Sequence, residues 1–503
     1  MKNLLKKGSI GFLFALTVAI LMTGCEARNE SPAADIIQGG AGTRLEESLT
    51  PFIEEIIQAY DLPGFAIGVV KDNEIVYARG FGYKNINTKE PVTVSTLFHM
   101  ASISKPFVAT AVMQLVEQGK IDLEEKVTTY LPYFKLDDER YQDITIQQML
   151  SHVSGMPDVE DYGWDNPQYD EGALERYVRS LSDRKMRFDP GTKHVYSNMA
   201  FECLGDVIAK VSGMSFADYE KRYILNPTGM GKSTFLKPDH LPEDWASGHM
   251  RTIRTIAWDG YPYNRMHGPS STLHSNALEM CRWAIINMNR GTFNNQKILE
   301  AESYDLLWKP WFKIGDEESG RAVGLSWFLG KHREEKTVSH GGGDTGFNTY
   351  LTLLPERSMA VIVLCNYIPA PIKNLCDAAL DFMLGFEPQI LKPPASVPVL
   401  KALAAHGQEE AVRVWESLQE DHSEDYDFNQ QQFFYMAAMS LELDRVDDGE
   451  EVIRLLQEML PDKGLRPARG FIANYLKTNP ENRAAARNAG DFGREIEPLK
   501  EFK

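Results

Sequence analysis

The feature that most constrains this chain is a serine three residues before a lysine, at the start of an apolar segment. The two residues are Ser102 and Lys105, the ends of an S-x-x-K motif. In residues 103–119 the apolar side chains recur close to every 3.6 positions, which predicts a helix that Gly119 ends. Pro106 is compatible with the first turn of such a helix. Ser102 would then lie at the helix N-terminus, with Lys105 over the same face.

This pairing is suited to covalent chemistry. A serine hydroxyl is a weak nucleophile until a neighbouring base takes its proton. Lys105 can act as that base only when it is neutral, which burial and nearby positive charge favour. A helix N-terminus also supplies free N–H groups where an oxyanion would form. S-x-x-K is short, however, and an ordinary helix start with a solvated lysine explains it equally well.

A second motif is Tyr196-Ser197-Asn198, which precedes a long apolar run. In an extended loop, residues two apart point the same way, so Tyr196 and Asn198 can face one site. A phenol can move protons if its surroundings lower its pKa, and an amide can hold both Lys105 and a substrate carbonyl. The alternative is a core-packed tyrosine beside an asparagine that caps the following helix.

A third motif, His340 followed by three glycines, ends a strand-like segment. The residues that follow, 350–354 and 359–364, predict a β-hairpin. Glycines on a strand are costly unless a ligand or another backbone must come close. The N–H of Gly343 could therefore serve an oxyanion. The alternative is a glycine-rich turn with a surface histidine.

Together, in this order, the three motifs resemble those of the serine hydrolases of the penicillin-binding-protein and class C β-lactamase superfamily. The resemblance covers about residues 64–366. The stretches that carry it begin at Pro63, Leu97, Ile144, Tyr196 and Val338.

The resemblance implies a role for each motif residue. Ser102 would be the nucleophile, Lys105 its base and Tyr196 a proton shuttle. The substrate-binding residues would be Asn198, which also anchors the lysine, and the third motif of His340, Gly341 and Gly342, while the backbone N–H groups of Ser102 and Gly343 would form the oxyanion hole. No cofactor is implied, and the scattered histidines lack the spacing of a metal site. His99 and His152 lie near the motifs and are interpreted as core residues.

The resemblance also implies an α/β fold, with an antiparallel sheet flanked by helices and an all-helical region. Residues 65–70 and 75–79, which turn at Asp72-Asn73, would form a first hairpin of that sheet. The hairpin near Leu354 would be its last. Such a fold places the motifs where the sheet meets the helical region, a common location for ligand clefts.

One position departs from the resemblance. Many β-lactamases have a lysine, which attracts the substrate carboxylate, where this chain has His340. Histidine is mostly neutral near pH 7, so carboxylate substrates should bind weakly, and better as the pH falls toward 6. We therefore expect a serine hydrolase that forms an acyl-enzyme with small-molecule or peptide substrates, either esters or D-amino-acid amides. The alternatives are a D,D-carboxypeptidase, a weak β-lactamase or a non-catalytic penicillin-binding-like surface protein.

The N-terminus predicts export. After three lysines, residues 10–22 are apolar but too short to span a bilayer comfortably. They end at Met22-Thr23-Gly24-Cys25, which resembles a bacterial lipobox. We expect a signal peptide over 1–24, a lipidated Cys25, a flexible tether over 25–45 and an extracytoplasmic, membrane-anchored lipoprotein. Its mature chain would begin at Cys25 and fractionate with membranes. An ordinary cleaved signal peptide is the alternative.

The remaining chain divides into a hydrolase domain over 46–387, a proline-rich linker over 388–398 and a helical module over 399–503. The module resembles degenerate tetratricopeptide repeats. It is either a surface for a protein partner or an appendage packed on the hydrolase domain.

The formal charge of −18 argues against nucleic acid as a partner. The four cysteines after Cys25 are expected to be buried free thiols.

Overall fold

The computed structural model describes residues 37–38, 42–238, 242–315, 319–443 and 445–460. The predicted signal peptide, Cys25 and the chain after residue 460 lie outside the described residues, so those predictions stay predictions. Among the described residues, no helix is both long and apolar enough to cross a membrane.

The described strands are short except for the five that form the centre of the main sheet. In chain order they are Ile37–Gln38 (β1), Gly64–Lys71 (β2), Glu74–Asn85 (β3), Glu90–Pro91 (β4), Phe98–His99 (β5), His249–Arg251 (β6), Thr255–Ala257 (β7), His274–Ser275 (β8), Thr292–Phe293 (β9), Gln296–Lys297 (β10), Phe312–Lys313 (β11), Ala322–Val323 (β12), Phe328–His332 (β13), Glu335–Asp344 (β14), Phe347–Leu354 (β15), Met359–Cys365 (β16) and Tyr367–Ile368 (β17).

The helices lie between and after these strands along the chain. They are Gly42–Tyr60 (α1), Ser104–Glu117 (α2), Val127–Tyr130 (α3), Ile146–Leu150 (α4), Ala173–Ser180 (α5), Asn198–Ser212 (α6), Phe216–Glu220 (α7), Gly268–Ser271 (α8), Ala277–Met288 (α9), Ser303–Leu307 (α10), Ile372–Leu384 (α11), Ser396–His406 (α12), Gln408–Asp421 (α13), Gln431–Glu442 (α14) and Val446–Met459 (α15). Short 3-10 turns include Ala101–Ile103 and Arg265–His267.

The main sheet is antiparallel and runs in the order β1-β3-β2-β16-β15-β14-β13-β12-β11. The predicted fold class and both predicted hairpins are confirmed. Asp72 and Asn73 turn the first hairpin with φ of 51° and 66°, the left-handed conformation that tight hairpin turns require. Strand β16 joins the two hairpins by pairing with β2. It is buried along its whole length because helices cover both faces of the sheet.

The two faces of the sheet carry different layers. Helices α1 and α11 cover one face, and their apolar side chains form one core with β2 and β16. The larger core lies on the other face, where α2, α6 and α9 pack together. Helix α2 is buried on all sides from Ser104 to Leu115, which explains why its apolar pattern is nearly continuous. The predicted site lies in this second layer, next to the sheet, because Ser102 and Lys105 lie at the start of α2 and Tyr196 just precedes α6.

Two predicted boundaries differ from the structure. Helix α1 begins at Gly42 and β1 pairs with β3, both within the segment predicted as a tether. The cause is apolar packing, because Leu45 and Leu49 are buried against the sheet at helical spacing. Helix α12 begins at Ser396 inside the predicted linker, since a proline at position 398 is tolerated in a first helical turn.

The C-terminal helices form two helical hairpins, α12 with α13 and α14 with α15. Their shared core includes Ile253 from the preceding domain. Thr252 Oγ1 donates to Asp448 Oδ2 at 3.0 Å, and Lys401 Nζ pairs with Asp61 at 2.7 Å. These contacts favour the interpretation of the described helices as an appendage packed on the hydrolase domain.

The cysteines expected as buried thiols are free and buried: Cys203, Cys281, Cys365 and Cys376.

Candidate active site

Ser102 lies in the 3-10 turn Ala101–Ile103 that leads directly into α2. The turn is strained, because Ala101 has a φ of +47°, and strain of this kind clusters at functional sites. Ser104 holds the turn in place: its Oγ donates to the Ala101 carbonyl at 2.7 Å and accepts from the Leu273 N–H at 2.9 Å. The side chain of Ser102 itself is only partly buried, so its hydroxyl remains accessible.

Lys105 reaches back from the first turn of α2 to that hydroxyl. Its Nζ lies 2.9 Å from Ser102 Oγ and 2.7 Å from the Ser270 carbonyl oxygen, and its side chain is fully buried. Burial lowers the pKa of Lys105 to about 7, and the nearby carboxylates of Glu202, Asp158 and Asp344 oppose this shift. The lysine is therefore neutral in a large fraction of molecules at neutral pH. Nearby positive charge, which would also favour a neutral lysine, is not what surrounds Lys105: the charges that act on it are negative.

Tyr196 lies over the same two groups. Lys105 Nζ is 4.9 Å from the centre of its ring, and the His152 ring stacks on it with a centroid distance of 4.1 Å. Burial raises the pKa of Tyr196, and the nearby Ser102 hydroxyl only partly lowers it. The condition named for proton transfer by this phenol, a lowered pKa, is therefore not met. Tyr196 is a neutral phenol at physiological pH, so it can relay a proton but is not the resting base.

Asn198 is the first residue of α6 but not its cap. The capping residue is Ser197, whose Oγ accepts from the Ala200 N–H at 3.2 Å. The amide of Asn198 donates to Asp158 Oδ1 at 3.0 Å, and its backbone N–H donates to the same oxygen at 2.7 Å. The structure thus places the amide of Asn198 on Asp158 rather than on Lys105.

His340 is not on the surface. It is 1% exposed, and its Nδ1 lies 2.8 Å from the Gly341 carbonyl oxygen. Burial lowers the pKa of His340 to about 3, and the charge of Lys105 lowers it further. His340 therefore stays neutral down to well below pH 6. The expectation that carboxylate binding improves toward pH 6 through this residue is overturned.

Gly341, Gly342 and Gly343 differ in how much space surrounds them for a side chain. A Cβ on Gly342 would lie 2.3 Å from the Met100 carbonyl oxygen and 2.4 Å from Thr349 Oγ1. A Cβ on Gly343 would meet nothing closer than 3.5 Å, and a Cβ on Gly341 would lie 3.0 Å from the Tyr350 ring. Gly342 is thus the position that lets β14 pack against the turn carrying Ser102.

We expect Gly342→Ala to lower the free energy of unfolding by about 1–3 kcal/mol, because the turn or the strand must move to admit the methyl group. Gly343→Ala is the matched control and should change it by less than about 0.5 kcal/mol. Urea unfolding of the two variants and the wild type makes the comparison. Equal stabilities for the two variants would contradict the close approach at Gly342.

Sequence reasoning missed Asp344, which directly follows the glycines. Its carboxylate accepts from Trp164 Nε1 at 3.2 Å and Ser271 Oγ at 2.9 Å, and lies 3.1 Å from His99 Nε2. His99 is buried, as expected for a core residue, and contacts this carboxylate from the interior. Asp158 was missed as well, although it ends the family-like stretch that begins at Ile144. Adjacency to the motifs was the only available signal for either residue.

Comparison with known proteins identifies a matching family and several similar proteins. The family model described as Beta-lactamase matches residues 49–374. Protein flp of Staphylococcus aureus (strain COL) is 25% identical over 336 residues, which are 66% of this chain and 66% of that protein. Penicillin-binding protein 4* of Bacillus subtilis (strain 168) is 28% identical over 312 residues, which are 58% of this chain and 66% of that protein. The chain thus spans just under two thirds of the length of these curated relatives.

Two solved structures are also similar. The octameric penicillin-binding protein homologue from Pyrococcus abyssi aligns with a TM-score of 0.60 at 27% identity, over 71% of this chain and 80% of that one. The penicillin-binding protein from Bacillus halodurans aligns with a TM-score of 0.54 at 24% identity, over 66% of this chain and 98% of that one. The second likeness concerns the fold alone.

Proposed function

Because the chain belongs to the β-lactamase family, with a penicillin-binding protein among its relatives, we propose that it is a serine hydrolase that works through an acyl-enzyme on Ser102. The observation that carries this proposal is the position of Lys105, buried and 2.9 Å from Ser102 Oγ. With a pKa of about 7, roughly half of the lysine is neutral at pH 7 and ready to accept a proton. A solvated lysine would be almost entirely protonated.

The proposed reaction has two steps. As Ser102 Oγ bonds to the acyl carbon, its proton passes to Lys105 Nζ and the carbonyl electron pair moves onto oxygen. The backbone N–H groups of Ser102 and Gly343 are proposed to stabilise that oxyanion. The Tyr196 phenol then passes a proton to the leaving alkoxide or amine as its bond to carbon breaks, and Lys105 restores the phenol proton. In the second step a water oxygen bonds to the acyl carbon and its proton passes to Lys105 Nζ. The bond from the acyl carbon to Ser102 Oγ then breaks, that oxygen regains a proton from Lys105 through Tyr196, and the carboxylic acid is released.

Charge favours substrates without a free carboxylate. The residue at the third motif, His340, is buried and neutral, so it supplies no positive charge. The groups whose charge acts on Lys105 are the carboxylates of Glu202, Asp158 and Asp344. A negative substrate group beside them would be repelled. We therefore propose short esters or D-amino-acid amides as substrates, ahead of penicillins and acyl-D-Ala-D-Ala peptides.

A comparison of kcat/KM for p-nitrophenyl acetate, D-alanine p-nitroanilide and a chromogenic cephalosporin tests this preference. We expect the ester or the amide to exceed the β-lactam at least about tenfold, the effect of one unfavourable charge contact. The ratio should be the same at pH 6 and pH 8, because His340 with a pKa of about 3 is neutral at both. Efficient β-lactam turnover that improves toward pH 6 would show that another residue binds the carboxylate. Covalent β-lactam labelling without turnover of any substrate would instead favour a penicillin-binding-like protein.

A further inference from the structure

Behind Lys105 lies a buried chain of polar groups that the proposed reaction does not use. Glu202 on α6 and His267 are both fully buried. His267 Nδ1 lies 3.1 Å from Glu202 Oε1, and Ser270 Oγ donates to the same oxygen. Ser270 is also the residue whose carbonyl oxygen accepts from Lys105 Nζ at 2.7 Å. Glu202 is therefore linked to the lysine through a single residue.

The surroundings of this chain are largely aromatic. Three aromatic rings contact His267, with centroid distances of 4.8 Å for Tyr162, 6.0 Å for Trp164 and 4.8 Å for Tyr177. Neither Glu202 Oε2 nor His267 Nε2 has a hydrogen-bond partner among the described residues. A carboxylate buried in this way is unfavourable unless a positive charge forms close by. The groups that can carry such a charge here are His267 and Lys105.

Glu202 also differs from the other ionisable groups around Lys105. These groups come from α6, β14 and the loops before α5 and α6, and they are Glu202, Asp158, Asp344, Tyr196, His152 and His340. His152 and His340 are held neutral by burial, and Tyr196 is a neutral phenol. Of the three carboxylates, Glu202 acts most strongly on Lys105 and is the one that is fully buried.

We propose that Glu202 is a positioning residue: with His267 and Ser270 it fixes the Ser270 carbonyl against Lys105, and its buried charge stabilises the lysine after it takes the Ser102 proton. This inference rests on the proposed function. It accounts for a buried glutamate with one oxygen unpartnered among the described residues, because the positive charge that Lys105 gains with the Ser102 proton forms close by. The same charge prevents burial from making Lys105 too weak a base.

The pH dependence of kcat/KM for p-nitrophenyl acetate reports on this role. In the wild type, activity should fall below about pH 7 as Lys105 becomes protonated. Glu202→Gln removes the charge but keeps the shape, so burial lowers the pKa of Lys105 further. The acid limb should then move to lower pH by roughly one unit. The plateau should also fall several-fold, because a weaker base accepts the proton less readily.

Three further variants separate this role from a general structural one. Glu202→Asp keeps the charge and should leave the acid limb near its wild-type position while the plateau falls. Glu220→Gln is the matched control, because Glu220 is also a fully buried glutamate with both oxygens unpartnered among the described residues, but burial raises its pKa well above the usual range and it is not among the groups that act on Lys105. Its acid limb should not move. Ser270→Ala removes the hydroxyl link and keeps the carbonyl, so kcat should fall several-fold with KM unchanged.

The outcomes distinguish this inference from the function on which it rests. A wild-type protein that hydrolyses neither ester nor amide contradicts the proposed function. If the wild-type enzyme is active and Glu202→Gln folds but keeps its acid limb at the wild-type pH, the proposed role of Glu202 is overturned. The proposed function is then unaffected. If Glu202→Gln does not fold, an unchanged kcat in Ser270→Ala overturns it instead.

Discussion

Ser102→Ala is expected to abolish covalent labelling by a fluorophosphonate probe and to reduce kcat on the order of 10⁶-fold, the usual effect of losing a nucleophilic serine. The fold should be preserved, because the Ser102 side chain is only partly buried and its loss leaves the core intact. Circular dichroism and probe labelling on the same preparation would measure both effects. Labelling of the alanine variant at the wild-type level would show that another residue reacts.

The second serine of the motif provides a matched control. Ser104 is fully buried, and both of its hydrogen bonds hold the turn that carries Ser102. Ser104→Ala should therefore lower the free energy of unfolding by about 1–3 kcal/mol while the folded protein still labels. The two serines are only two residues apart in the sequence, yet Ser102→Ala should abolish the reaction and Ser104→Ala should lower the stability of the fold. Loss of labelling in a fully folded Ser104→Ala variant would mean that the motif roles are exchanged.

The parts of the fold that the sequence predicted are those set by local signals. The hairpin at Asp72-Asn73 was predictable because two adjacent residues that tolerate positive φ separate two apolar runs. Helix α2 was predictable from its spacing, although its burial on every side was not. The early start of α1 was missed because residues 42–44 are individually polar or small, and the packing of Leu45 on the sheet decides their conformation.

The electrostatics of the site could not be predicted in the same way. The pKa of a side chain depends on how deeply it is buried and on charges brought from distant parts of the chain. His340 was expected to be partly charged at mildly acidic pH, but the sheet buries it and keeps it neutral. Glu202 lies six residues after Tyr196 and has no motif of its own. Only the fold brings it to the Ser270 hydroxyl and so close to Lys105.

A double-mutant cycle between Lys105 and Tyr196 is expected to be strongly non-additive. Lys105→Ala should reduce the acylation rate about 10³-fold or more, and Tyr196→Phe about 10²-fold, within the range for lost proton transfer. The double variant should be little worse than Lys105→Ala, because residues that share one proton transfer cannot each lose it separately. Single-turnover kinetics with D-alanine p-nitroanilide, whose amine leaving group needs a proton, would give the acylation rates.

Tyr196→Phe is suited to this cycle because it removes the hydroxyl and keeps the ring that contacts Lys105 and stacks on His152. Tyr304→Phe is the control, since Tyr304 is a fully buried tyrosine whose hydroxyl contacts Asn287 at 3.4 Å, away from the site. Combined with Lys105→Ala, it should give losses that multiply. If the Tyr196 losses multiplied as well, the phenol would act in a different step from the lysine. We do not expect the Tyr196 losses to multiply. The pKa of Tyr196 is raised, so its phenol keeps its proton at neutral pH, and once it has given that proton to the leaving group Lys105 must supply another.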